Sequence, residues 1–194
     1  MELHVLSTGQ MAPEDWARKA ALVEKSADFL HIREPFWNEK NLSEALKLYE
    51  ERAGDRRKII VNAKTAGATK STLPLHLPET FLNQAPEGKW GISVHSREAA
   101  LAAERAGASW IMAGPVFDPG SKNGVQGRGM ENILKMTEGL QIPVIAVGGL
   151  TPDRLRELAG KVHGAAVVSG IMGQEDPAAA AEHYRKVIRR WETS

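Results

Sequence analysis

Short runs of β-branched and small apolar residues recur along this chain at intervals of roughly 25 residues, the scale of a strand–helix unit. They predict strands at Leu3–Ser7, Phe29–Arg33, Lys58–Asn62, Leu73–Leu77, Trp90–His95, Trp110–Gly114, Pro143–Gly148 and Ala165–Ser169. Between them the apolar positions change to helical spacing. Trp16, Ala20 and Val23 mark a helix over Pro13–Lys25, with Pro13 suited to its first turn. Leu42, Ala45, Leu46 and Tyr49 mark another over Leu42–Arg52. Ser96 reads as the N-cap of a helix to Ala106 that Gly107 stops. Thr151-Pro152-Asp153 opens a further helix, and the last begins near Pro177 and carries Tyr184, Val187, Ile188 and Trp191.

Strands that alternate with helices imply a parallel sheet. Eight of them suit closure, so the expected fold is α/β, a single-domain (β/α)8 TIM barrel over residues 1–194. A doubly wound open sheet is the competing architecture. The chain is shorter than the usual barrel of about 250 residues, and the gaps after the third and fourth strands are small. The helices there are expected to be shortened.

Composition narrows the function classes. The 194 residues carry 25 Lys and Arg against 24 Asp and Glu, a net charge of +1, which offers nothing to a nucleic acid or a membrane surface. The densest basic cluster, Arg56-Arg57-Lys58, reads as a solvated turn before a strand. With no cysteine, disulfides, thiolate metal sites and cysteine nucleophiles are excluded. No apolar run approaches the roughly 18 residues of a bilayer span, and the first strand begins almost at Met1. A reducing cytoplasm is the expected location. The oligomeric state is open, a homo-oligomer included.

In a barrel the chemistry gathers at the C-terminal ends of the strands. The last two predicted strands end in Gly148-Gly149 and in Ser169-Gly170, where backbone N–H groups approach an anion with no Cβ in the way. A helical segment after each would add positive potential. These four residues are the expected phosphate site. The second strand ends His31-Ile32-Arg33-Glu34, and period-2 alternation turns His31 and Arg33 to one face. Arg33 suits a substrate carboxylate; an internal pair with Glu34 is the alternative. After the sixth strand comes a glycine-rich loop in which Ser121 and Lys122 are placed to reach a phosphate or carboxylate. His95, at the end of the fifth strand, stands where an acid or base belongs. His4 and His76 lie mid-strand and read as packing residues, and His163 and His183 as surface residues. No group of residues shows metal-ligand spacing, and Gly148-Gly149 lacks the rest of a dinucleotide fingerprint. No metal or cofactor is expected.

Several segments together carry a family resemblance: ELHVLS, FLHIRE, SVHS, GPVF with the later GRG, PVIAVGGLTPDRL and VVSGI. The chain resembles the thiamine phosphate synthase superfamily, and within it the TenI-type thiazole tautomerases. The resemblance implies a ligand that is a phosphorylated thiazole, with phosphate on Gly148, Gly149, Ser169 and Gly170, Lys122 near the site, and Arg33 on a carboxylate. Synthases resemble one another in an Asn-Asp after the third strand and an acid shortly after the fourth, which hold magnesium. Here those positions are Asn62-Ala63 and Phe81. The resemblance therefore points to an isomerase that aromatises a thiazole phosphate carboxylate, with His31 and Arg33 in the substrate pattern of the second strand. The tautomerase histidine after the sixth-strand glycine is Pro115 here, which leaves His95 or Asp118 to move the proton. The alternatives are a synthase-like transferase, or a non-catalytic protein that binds a thiazole phosphate.

Overall fold

Eight parallel strands close into one barrel in sequence order. The computed structural model describes residues 1–52, 54–70, 72–118 and 126–192. The strands are β1 (Glu2–Leu6), β2 (Phe29–Ile32), β3 (Ile59–Asn62), β4 (Leu75–Leu77), β5 (Trp90–Val94), β6 (Trp110–Ala113), β7 (Val144–Val147) and β8 (Gly164–Val167). Register runs unbroken round the ring, from His4 beside Phe29 to Val5 beside Val167, so no edge is left for the open-sheet alternative.

The helices are α1 (Pro13–Val23), α2 (Glu39–Glu51), α3 (Arg97–Arg105), α4 (Met130–Thr137) and α5 (Pro177–Glu192). Local chemistry sets their starts. Pro13 occupies the first turn of α1. Asn38 caps α2 in a reciprocal box with Asn41, each side-chain oxygen taking the other's N–H at 3.0 Å. Ser96 takes the Ala99 N–H at 3.1 Å at the head of α3. After β3 and β4 the helices shrink to 3-10 turns, Ala68–Lys70 and Glu79–Gln84, as expected.

Two expectations fail after β7 and β8. The segment opened by Thr151-Pro152-Asp153 forms only a 3-10 turn, Arg154–Leu158, and β8 runs into turns before α5 begins at Pro177. No α-helix starts directly at either glycine-ended loop, so any anion there is met by loop N–H groups rather than by a helix end.

Alternation divides the core in two. Leu3, Val5, Leu30, Ile32, Ile59, Val61, Ile92 and Ile111 face outward under the helices. Leu6, Ile60, Trp110, Met112, Ile145 and Ala166 fill the lumen. Gly91 makes room for this filling: a Cβ there would lie 2.0 Å from the Trp110 ring. The basic cluster is a turn, as read: Arg57 is bound to Asp55, and the Lys58 ammonium donates to the carbonyls of Glu24 and Ala27.

Candidate functional site

The polar residues of β1, β2 and β4 that face the lumen form a buried histidine thread. His4 Nε2 meets Glu2 Oε2 at 3.2 Å, and His4 Nδ1 meets His31 Nε2 at 2.9 Å. The His31 ring lies edge-on to His76, and His76 Nε2 meets Ser93 Oγ at 2.9 Å. His76 Nδ1 and the neighbouring Trp110 Nε1 are buried without a partner. Burial, assisted by repulsion from His4 and His76, holds the His31 pKa well below the ordinary histidine range, and burial with repulsion from His4 brings that of His76 to about 3. His31 is thus a lumen residue, 2% exposed and bonded to His4. It faces the lumen as the alternation requires, but it does not reach the mouth where substrate binding was expected. The packing reading of His4 and His76 holds.

Above this thread lies the mouth. Arg33 follows β2, half-buried, with its N–H on Ser7 Oγ at 2.8 Å. Its guanidinium passes so close to the turn after β1 that a Cβ on Gly9 would sit 3.1 Å from Nη1. Gly9 has φ +92°, a conformation that favours glycine. The internal Arg33–Glu34 pair is not what holds the acid. Glu34 is 1% exposed, and its two carboxylate oxygens take the N–H groups of Gly9 and Met11 at 3.0 Å each. Its own N–H donates to Thr65 Oγ1 at 3.1 Å, so the loops after β1, β2 and β3 are knitted at one residue. Burial raises the Glu34 pKa, opposed by those hydrogen bonds and by Arg33. Sequence reasoning attached this residue only to Arg33; its contacts lie 23 and 25 residues away.

Two other carboxylates at strand ends are used the same way. Glu79 takes the His95 N–H at 2.6 Å, which leaves the exposed His95 ring free of that bond. Asp118 takes the Gly127 N–H at 2.5 Å and closes the base of the loop after β6. Lys122 and Ser121 lie outside the described residues.

The β7 and β8 ends carry the loops in which the phosphate site was expected. Gly148 and Gly149 have φ +101° and +63°, and a Cβ on Gly149 would come 2.7 Å from the Phe117 carbonyl. Phe117 N–H donates to Gly148 at 3.1 Å, and Arg154 donates to the Gly149 carbonyl at 2.8 Å with its guanidinium over the Phe117 ring. A Cβ on Gly170 would meet the Tyr184 hydroxyl. The N–H groups of Gly149, Ser169 and Gly170 donate to no other described residue. Unpartnered N–H groups on adjacent strand ends are what an anion requires.

Residues 10–171 match the model of the thiamine monophosphate synthase family. The chain belongs to that family. A thiamine-phosphate synthase of Pyrococcus furiosus is 43% identical over 105 residues, a stretch that covers 54% of this chain and 51% of the relative. The chain thus spans about half the length of that relative. One of Methanocella arvoryzae is 32% identical over 203 residues, 97% of this chain and 93% of the relative. Among solved structures, a thiamine phosphate pyrophosphorylase of Pyrococcus furiosus superposes with a TM-score of 0.75 at 29% identity, over 97% of this chain and 96% of that one.

These relatives correct the expected activity. They are named as synthases, which are transferases, so neither the tautomerase branch nor the isomerase class stands. The structure supplies a physical reason. The position of the tautomerase histidine is Pro115, whose ring carries no transferable proton and packs where a Cβ on Gly148 would fall 2.6 Å from its Cβ.

The magnesium that a synthase would hold does not fit these residues. Ala63 offers a methyl group and Phe81 packs partly buried against the outer core, so neither supplies an oxygen ligand, while Glu79 accepts the His95 N–H through Oε2. Among the described residues no group of three or more His, Asp or Glu is arranged to hold a metal ion.

Proposed function

We propose that this protein is a synthase-like transferase that joins a thiazole phosphate to a pyrimidine diphosphate with displacement of diphosphate. The observation that carries the reading is the set of unpartnered N–H groups on Gly149, Ser169 and Gly170, at the strand ends of a barrel whose relatives are named thiamine-phosphate synthases. The thiazole phosphate sits there, among N–H donors with no Cβ on Gly148, Gly149 and Gly170 to fend it off. Arg33 faces the second anion, as a fork suited to phosphate oxygens. His95, exposed beside the mouth, is the candidate proton donor to the departing diphosphate. No step runs through a metal.

The test mixes the protein with both substrates and measures thiamine phosphate by its oxidation to a fluorescent product, with and without magnesium. Product above the no-protein control supports the transferase. Absence of product at high protein concentration ends it.

One set of residues favours a second reading, a barrel that binds the thiazole phosphate without turnover: Ala63 and Phe81 stand where the family's metal-binding acids are expected. Calorimetric binding of thiazole phosphate with no product formed would select this reading.

A further inference from the structure

The loops after β7 and β8 are held from behind. In a trans peptide the carbonyl and the next residue's N–H point opposite ways, so a donor that fixes the carbonyl also aims the N–H. The peptides that carry the Gly149, Ser169 and Gly170 N–H groups are trans, and the carbonyl of each is taken. Gly148 accepts from the Phe117 N–H at 3.1 Å. Val168 accepts from the Ile171 and Met172 N–H groups at 3.1 and 2.9 Å. Ser169 accepts from a side chain, Gln174 Nε2, at 2.8 Å. Gly173 lets the chain pass closely enough for that bond: a Cβ there would lie 2.8 Å from the Ser169 carbonyl.

Two more side chains fix the β7 loop further along. Arg154 donates to the Gly149 carbonyl at 2.8 Å, and the Tyr184 hydroxyl donates to the Leu150 carbonyl at 2.8 Å. Tyr184 comes from α5 and is buried. Burial lifts its pKa to about 12, so the hydroxyl keeps its proton and acts as the donor. The same oxygen lies against Gly170, where any Cβ would collide with it. One hydroxyl thus bonds the β7 loop and seats the β8 loop.

We infer that Tyr184 and Gln174 are positioning residues for the phosphate: Tyr184 sets the separation of the β7 and β8 loops, and Gln174 turns the Ser169–Gly170 peptide so that its N–H faces the anion. The inference rests on the placement of thiazole phosphate at these loops. Both residues act through the backbone, without touching the ligand. The grip on the anion is then decided by a helix outside the barrel and by a turn beyond β8, as well as by the glycines themselves.

The test labels glycine isotopically in the full-length protein and follows its amide resonances by NMR during a titration with thiazole phosphate. In the parent, the Gly149 and Gly170 signals should move downfield and saturate together, while Gly107, after α3, stays in place. Tyr184→Phe deletes one oxygen and keeps the ring. It should weaken the affinity by about fivefold, the scale of one hydrogen bond. Gln174→Ala, at an exposed position, should weaken it by about threefold and reduce the Gly170 shift more than the Gly149 shift. Circular dichroism and thermal midpoints set a temperature at which each variant is folded. If Tyr184→Phe does not fold, Gln174→Ala decides the peptide argument by itself. Parent affinity and parent glycine shifts in the folded variants overturn the inference and leave the phosphate placement standing. Still signals from Gly149 and Gly170 in the parent overturn that placement, and the inference with it.

Discussion

The imidazoles of His4 and His31 meet at 2.9 Å, Nδ1 to Nε2, inside the barrel lumen. Glu2 settles which ring donates. Its carboxylate only accepts, so His4 Nε2 carries a proton toward Glu2, and a neutral His4 then offers a lone pair at Nδ1. His31 Nε2 is the donor in return. Burial and like-charge repulsion depress the His31 pKa, which favours the neutral ring in this position.

This thread makes stability depend on pH across the histidine range. His31 and His76 have folded pKa values below the ordinary value of 6.5, His76 at about 3. Above about pH 6.5 neither state takes up a proton and the full stability is present. As pH falls below that value the unfolded chain binds protons that the folded one refuses. Stability is then lost at up to about 1.4 kcal/mol per pH unit for each histidine, until the folded pKa is reached. Urea unfolding at about pH 7.5 and 5.5 should differ by about 1.4 kcal/mol through His76, with His31 adding in the same direction. His76→Gln should remove the His76 share of that difference. An unchanged slope in the variant would show that His76 titrates normally.

Replacing Glu34 by Gln should destabilise the protein by about 2 kcal/mol, because an amide cannot accept both N–H groups as a carboxylate does. The Gly9 turn loosens, and Arg33 with it. Chemical denaturation measures the first effect. A pyrophosphate titration at a temperature where the variant is folded measures the second, and affinity equal to the parent would separate Glu34 from Arg33.

Gly149→Ala should abolish thiazole phosphate binding. Its φ of +63° is strained for any residue with a Cβ, and the added methyl would lie 2.7 Å from the Phe117 carbonyl. The cost in stability is about 1–3 kcal/mol. Binding preserved in a folded variant would move the phosphate site away from the β7 end.

His95→Ala should leave stability within about 0.5 kcal/mol of the parent, because Glu79 holds the backbone N–H and not the ring. If thiamine phosphate formation is active, turnover should fall by on the order of 10²-fold, the scale of a lost general acid. An unchanged rate would remove His95 from the proton transfer.

The eight strands were legible from composition and spacing alone. A strand buried under helices needs only a short apolar run, and turn residues bound it on both sides. Each predicted strand lies within two residues of the observed one: Leu73–Leu77 begins at Leu75, and Trp90–His95 ends at Val94. Alternation also placed His31 and Arg33 on the lumen face, and the missing side chains of Gly148, Gly149 and Gly170 marked the tight loops at the β7 and β8 ends. All of these are local properties, set by a residue and its near neighbours.

The depth of a residue along the lumen is not local. His31 and Arg33 share a face, yet β1 and β4 supply His4 and His76 around the first, whereas Ser7 and the Gly9 turn approach the second. Barrel closure decides that difference, by bringing strands 27 and 45 residues apart to one level. The same holds for the carboxylates. Along the chain Glu34 reads as a partner of Arg33 and Asp118 as a candidate acid, yet Glu34 takes N–H groups 23 and 25 residues away and Asp118 takes one 9 residues away. A carboxylate near unpaired backbone donors takes them, because a buried N–H left without an acceptor costs more than the hydrogen bond returns. Only the folded loops show which donors were within reach.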